Sequence, residues 1–97
     1  MISLIARLTI KEGREDDAID LIKGLMSHVA KEENTLYYTL NQGDKKPGEL
    51  VIIERYTDKG ALGYHSSTDH FKQFNGEIAG LLAAKPVIEV MEEIHSI

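Results

Sequence analysis

Three observations predict an α+β fold of order β-α-β-β-α-β for this 97-residue chain. Four stretches have strand character, through period-two alternation or β-branched and aromatic residues. Two others repeat apolar residues at helical spacing, and one turn-rich loop joins the middle pair of strands. With right-handed crossovers, that order is the ferredoxin-like split βαβ plan, a four-stranded antiparallel sheet with the helices on one face. The length suits one domain with one core, spanning residues 1–97.

The first strand is read from Ile2, Leu4, Ala6, Leu8 and Ile10, which alternate with Ser3, Arg7 and Thr9 until Lys11-Glu12-Gly13 ends the run. Ala18, Leu21, Ile22, Leu25 and Val29 then fall on one helical face. With Glu15, Asp16 and Asp17 in the first turn, they predict a helix over about 14–31. Leu36, Tyr38 and Leu40 alternate within a strand over 35–42, and residues 49–56 are rich in β-branched and aromatic side chains. The loop 43–48 between them carries glycine at both ends and Pro47. Asp58 is placed to cap a short helical piece, 59–64, and Ser67 or Thr68 to cap the main helix, 68–84. Phe71, Phe74, Ile78, Leu81 and Leu82 form the apolar stripe of that helix. Pro86 closes it, so residues 87–97 read as the last strand.

Aliphatics also occupy the second sheet face: Ile5 in the first strand, Val51 and Ile53 in the third, Ile88, Val90 and Ile94 beside Val87 and Met91 in the last. A sheet covered on one side only should be polar on the other, so this pattern predicts a two-fold homodimer packed sheet to sheet. A formal charge of −5 disfavours nucleic acid and anionic membrane surfaces as partners. The absence of cysteine excludes disulfides, thiolate nucleophiles and zinc-thiolate sites. No apolar run approaches the ~20 residues of a membrane helix, and the N-terminus lacks signal-peptide order, so a soluble, unprocessed, cytoplasmic protein is expected.

Polar, titratable and aromatic residues crowd the segment His65–Phe74. His65, before the cap, and His70, just inside the helix, are expected at the partly exposed rim of an apolar pocket; surface histidines in a capping segment are the plainer alternative. Their spacing fits neither a zinc-protease helix nor a zinc finger and supplies no third ligand, so no metal is expected. Glycine-rich phosphate loops are absent, as are the glycines of a nucleophile elbow around Ser66 and Ser67. Glu54 and Glu89 read as half-exposed ladder partners or buried acids. The four tyrosines read as packing residues or donors to an aromatic ligand. His28 and His95 read as surface residues.

Set in order, Glu32-Glu33, Leu36-x-Tyr38, Ile53-Glu54-x-Tyr56-x-Asp58, Ala61-Leu62-x-x-His65-x-x-Thr68-x-His70-Phe71 resemble the antibiotic biosynthesis monooxygenase domain family of dimeric α/β barrels. Ile5-Ala6-Arg7-Leu8 with Lys11-Glu12-Gly13 is similar to that family's first strand and turn. His65-x-x-Thr68-x-His70 resembles its quinol monooxygenase branch. The resemblance implies oxidation of a small aromatic, phenolic or quinol substrate by O2, with no metal, flavin or other cofactor. It places His65, His70 and Tyr38 in a pocket within each subunit and Glu54 as a recurrent acid without an assigned role. Such chemistry needs a base, hydrogen bonds for an oxyanion and an apolar cage. His65 or His70 would serve as the base, with Phe71, Phe74 and Ile78 on one wall and Leu4, Ala6 and Leu8 on the other. The haem-degrading branch has Asn, Trp and His where this chain has Ala6, His65 and Asn75, so no haem breakdown is expected. An isomerase of the same fold, and a non-catalytic aromatic-binding or stress-related module, remain as alternatives.

Overall fold

A computed structural model describes residues 1–97. Its elements are β1 (Ile2–Thr9), α1 (Glu15–Val29), β2 (Thr35–Gly43), β3 (Lys46–Tyr56), α2 (Lys59–Ser67), α3 (Asp69–Ile78), a 3₁₀ turn (Ala79–Leu81) and β4 (Val87–Glu92). The strands form one sheet in the order β2-β3-β1-β4, every neighbour antiparallel. This is the predicted ferredoxin-like arrangement, its second helical section divided into two helices.

Strand parity decides what the helices cover. Leu4, Ala6 and Leu8 of β1 sit opposite Glu54, Ile52 and Leu50 of β3, and all six are buried. Ala18, Ile22, Leu25 and Val29 of α1, with Phe74 and Ile78 of α3, pack onto this face. Each Leu, Ile, Val or Phe side chain so buried stabilises the fold by about 1.5–3 kcal/mol.

Several element ends differ from expectation. α2 runs three residues past Tyr64, so His65 lies in its last turn rather than in the approach to a cap. The cap positions themselves are as read: Asp58 accepts from the Ala61 N–H at 2.8 Å and Thr68 from the Phe71 N–H at 3.3 Å. α3 ends at Ile78 rather than near 84 because the chain turns back to the end of β1. There Leu82 bridges Ile10, Lys11 N–H donates to Leu81 O at 2.9 Å, and Ala83 N–H donates to Thr9 O at 2.8 Å.

β3 starts earlier than residue 49, since Gly43 pairs with Lys46 across a tight turn. A Cβ on Gly43 would sit 2.9 Å from the Lys46 carbonyl oxygen, so the turn requires glycine. β4 stops at Glu92, which pairs with Ile2, rather than running on to residue 97; Glu93 N–H donates to Met1 O, and Ile94 and Ile97 project fully exposed.

The outer sheet face carries Ile53, Tyr37, Val87 and Met91 in the open, crossed by ion pairs Arg7–Glu89 and Arg55–Glu93. β4 is exposed along its whole length; Ile88 and Val90 sit opposite Ala6 and Leu4 and so share the helix-side face, not the outer face expected for them. No helix is long and apolar enough to cross a membrane.

Candidate active site

Three polar residues are found among the buried ones, Glu32, Glu54 and His65, and they meet in one place. β3 parity turns Glu54 inward between Ile52 and Tyr56, opposite Tyr38 on β2 and Leu4 on β1. Glu32 arrives from the loop after α1, where its own N–H is held by Val29 O at 2.9 Å. His65 comes from the last turn of α2 and is 2% exposed, which corrects the expectation that it would sit partly exposed at a rim. Helical spacing aims it inward, where its ring meets Phe71 at 4.8 Å, Tyr56 at 5.6 Å and Tyr38 at 5.9 Å between centroids.

The hydrogen bonds fix the imidazole. His65 Nδ1 lies 3.0 Å from both carboxylate oxygens of Glu32, and His70 Nε2 lies 3.1 Å from Glu32 Oε2. An ionised carboxylate only accepts, so both nitrogens carry their protons toward it. Thr35 adds its hydroxyl to Glu32 Oε1 at 3.3 Å. His65 Nε2 is then left as a buried nitrogen with no hydrogen-bond partner, 4.0 Å from Glu54 Oε1.

Glu54 in turn accepts a short hydrogen bond from the Tyr56 hydroxyl. Burial pushes the Glu54 carboxyl up to about 7, with Tyr56's hydrogen bond opposing and the nearby Glu32 charge reinforcing the rise. Burial, joined by the charges of Glu54 and Glu32, also pushes the Tyr38 and Tyr56 hydroxyls well above the usual phenol range, so both remain donors.

A cavity of about 200 Å³ opens between the sheet and α2–α3. Tyr38, Glu54 and His65 line it together with Ala6, Phe71 and Phe74, and so do Asn75, Pro86 and Ile88. The expected pocket residues are therefore together, with one exception. His70 does not line this cavity: it stands beyond Glu32, in a separate groove between α1 and α3, its ring stacked on exposed His28 at 5.2 Å. His70 supports Glu32, whereas His65 faces the cavity.

Glu32 is the residue the sequence did not single out chemically. Its histidine partners lie 33 and 38 residues away, beyond any local spacing signal. It is also the third ligand that spacing could not supply, since donor atoms of Glu32, His65 and His70 all fall within 4.8 Å of one another. These are donors a divalent transition metal accepts, although here the three groups already satisfy one another by hydrogen bonding.

Comparison with known proteins agrees with this architecture. The chain is 27% identical over 84 residues to "Putative monooxygenase YcnE" of Bacillus subtilis (strain 168), covering 87% of this chain and 88% of that one. A crystal structure of an antibiotic biosynthesis monooxygenase superposes with a TM-score of 0.91 at 28% identity, covering 98% of this chain and 100% of that one. A conserved protein from Methanosarcina mazei Go1 superposes with a TM-score of 0.91 at 26% identity, covering 95% and 91%. The family model for antibiotic biosynthesis monooxygenases matches residues 1–77, and the chain belongs to that family.

Proposed function

We propose that this protein is a cofactor-independent monooxygenase that uses O2 to oxidise a small dihydroxyarene or related phenol. The observation that carries the reading is His65, which lines a largely apolar cavity and whose Nε2 is buried without a partner while Glu32 holds the opposite nitrogen. A phenolic O–H entering the cavity supplies the missing donor, and Nε2 takes its proton as the general base. Glu32 fixes the tautomer and balances the imidazolium that forms, so it is a positioning residue. Tyr38 lines the same cavity, and its hydroxyl serves as a donor to the phenolate oxygen. Phe71, Phe74 and Ala6 hold the ring of the substrate in an apolar cage.

Deprotonation turns an electron-rich arene into a reductant for O2; that no metal or flavin is needed is a feature carried over from the family resemblance. The overall conversion balances as dihydroxyarene plus O2 giving hydroxyquinone plus water. Copies of the chain are expected to pair through the exposed outer sheet face and β4, which together present a large apolar surface.

The test is oxygen uptake by metal-stripped, flavin-free protein against a panel of hydroquinones, catechols and naphthols. Uptake that needs His65 and yields hydroxylated product supports the reading, and no uptake across the panel rejects it. The buried acid and base 4.0 Å apart also suit proton transfer alone, so the same panel under argon tests for an isomerase.

A further inference from the structure

Resting on that monooxygenase reading, we propose that Glu54 is the general acid of the reaction, delivering a proton to the peroxide that forms when O2 adds to the substrate ring.

The argument begins with place. Glu54 lines the cavity on the sheet side, 4.0 Å from the nitrogen assigned as base, so one substrate oxygen or its neighbour lies within reach of both groups. No lysine or arginine pairs with it. The groups that face it are His65 from α2, Tyr38 from β2, Tyr56 from its own strand and, further off, Glu32. Burial penalises the charge more than the Tyr56 hydrogen bond favours it, so the carboxyl is pushed up to about 7 and a large fraction of it carries a proton at neutral pH. Tyr56 donates to Oε1, which orients the carboxyl without taking its proton.

The chemistry needs such a donor. His65 removes the phenolic proton, the phenolate passes an electron to O2, and the resulting pair combines to form a ring C–O bond, leaving a peroxide anion on a ring carbon that still bears hydrogen. Glu54 protonates the outer oxygen. The carboxylate so formed takes the C–H proton, that electron pair becomes the new carbonyl, and the O–O bond breaks. The departing hydroxide receives the proton held on His65 and leaves as water, which returns both residues to their starting states. Without the donor, the intermediate instead collapses to quinone and hydrogen peroxide.

The test uses Glu54→Gln, which keeps the size of the side chain and an acceptor for Tyr56 but has no acidic proton. Under argon, nitrocatechol added to wild type should show its phenolate spectrum; Glu54→Gln should match it, and His65→Gln should not. In air, with a quinol accepted by wild type, Glu54→Gln should make hydroxylated product about 10²-fold to 10⁴-fold more slowly. Hydrogen peroxide recovered per O2 should rise toward one, with KM little changed. The proposal is overturned if Glu54→Gln keeps the wild-type product rate and coupling, or if it loses nitrocatechol ionisation, which would make Glu54 a binding group. If wild type neither ionises the probe nor consumes O2, the monooxygenase reading falls and the role of Glu54 falls with it.

Discussion

The raised pKa of Glu54 has a consequence that needs no substrate. An unfolded chain ionises this carboxyl at its ordinary value of 4.5, whereas the folded chain does so at about 7. Between those values the folded state binds more protons than the unfolded one, so stability falls as pH rises through the window. The contribution is fully present below 4.5 and lost above about 7. Two and a half units at ~1.4 kcal/mol each make the total roughly 3 kcal/mol, of which about 2–3 kcal/mol is lost between pH 5 and pH 8. Urea unfolding of wild type and Glu54→Gln at those two pH values isolates the effect, because the other titrating groups are common to both proteins. Glu54→Gln should lose less stability than wild type by that amount, and at pH 8 it should be the more stable protein. Equal pH dependence in the two, within about 0.5 kcal/mol, would refute the reasoning and remove the ground for a protonated Glu54 at neutral pH.

Other outcomes follow from burial and position. His65→Gln should lower turnover by about 10²-fold to 10⁴-fold and stability by roughly 2 kcal/mol, on the order of 10 °C in Tm, because the ring is fully buried and hydrogen-bonded to a buried carboxylate. His70→Gln, a quarter exposed and outside the cavity, should change Tm by only a few degrees and turnover by much less than His65→Gln. Sedimentation equilibrium at micromolar concentration should show a dimer, and a monomer would oppose the reading of the outer sheet face. Haem incubated with the protein and a reductant should survive intact, since Ala6 offers no donor and Asn75, at the cavity lining, is no match for an imidazole ligand; a bilin-like product would contradict this.

The fold was legible because period two and helical spacing both report burial, and burial on one sheet face dictates the layers. Residues such as Leu4, Ala6 and Leu8 carried that signal without ambiguity. Element ends were harder where tertiary pairing decided them. The α3 stripe continues through Leu81 and Leu82, yet Leu82 leaves the helix to bridge Ile10, a contact no local pattern contains. The burial of Glu54 had a readable sign, since it shares parity with Leu50 and Ile52 and so had to face the helices. Glu32 had none, because a loop residue has no period and its partners are set by how α2 and α3 fold back over the sheet.

The way the buried polar groups are gathered itself argues for chemistry. A buried hydrogen-bonded set of ionisable groups replaced together by apolar side chains of similar volume commonly leaves a protein as stable or more so, whereas removing one member strands its partner. Burial opposes ionisation of Glu54, and no lysine or arginine pairs with it. Had burial of polar groups been incidental to packing, they would be scattered through the core. Instead Glu54 and His65 line one cavity while Glu32 holds the other ring nitrogen of His65, the base with an unpartnered nitrogen and the acid pushed up to about 7. A stability cost concentrated where a substrate can reach it is the expected mark of a site that has traded stability for reactivity. By this logic the double variant Glu54→Leu, Tyr56→Phe, which removes the acid together with the hydroxyl bonded to it, should raise the urea midpoint at pH 8 while lowering product formation at least as much as Glu54→Gln. A loss of both together would mean that the acid is structural.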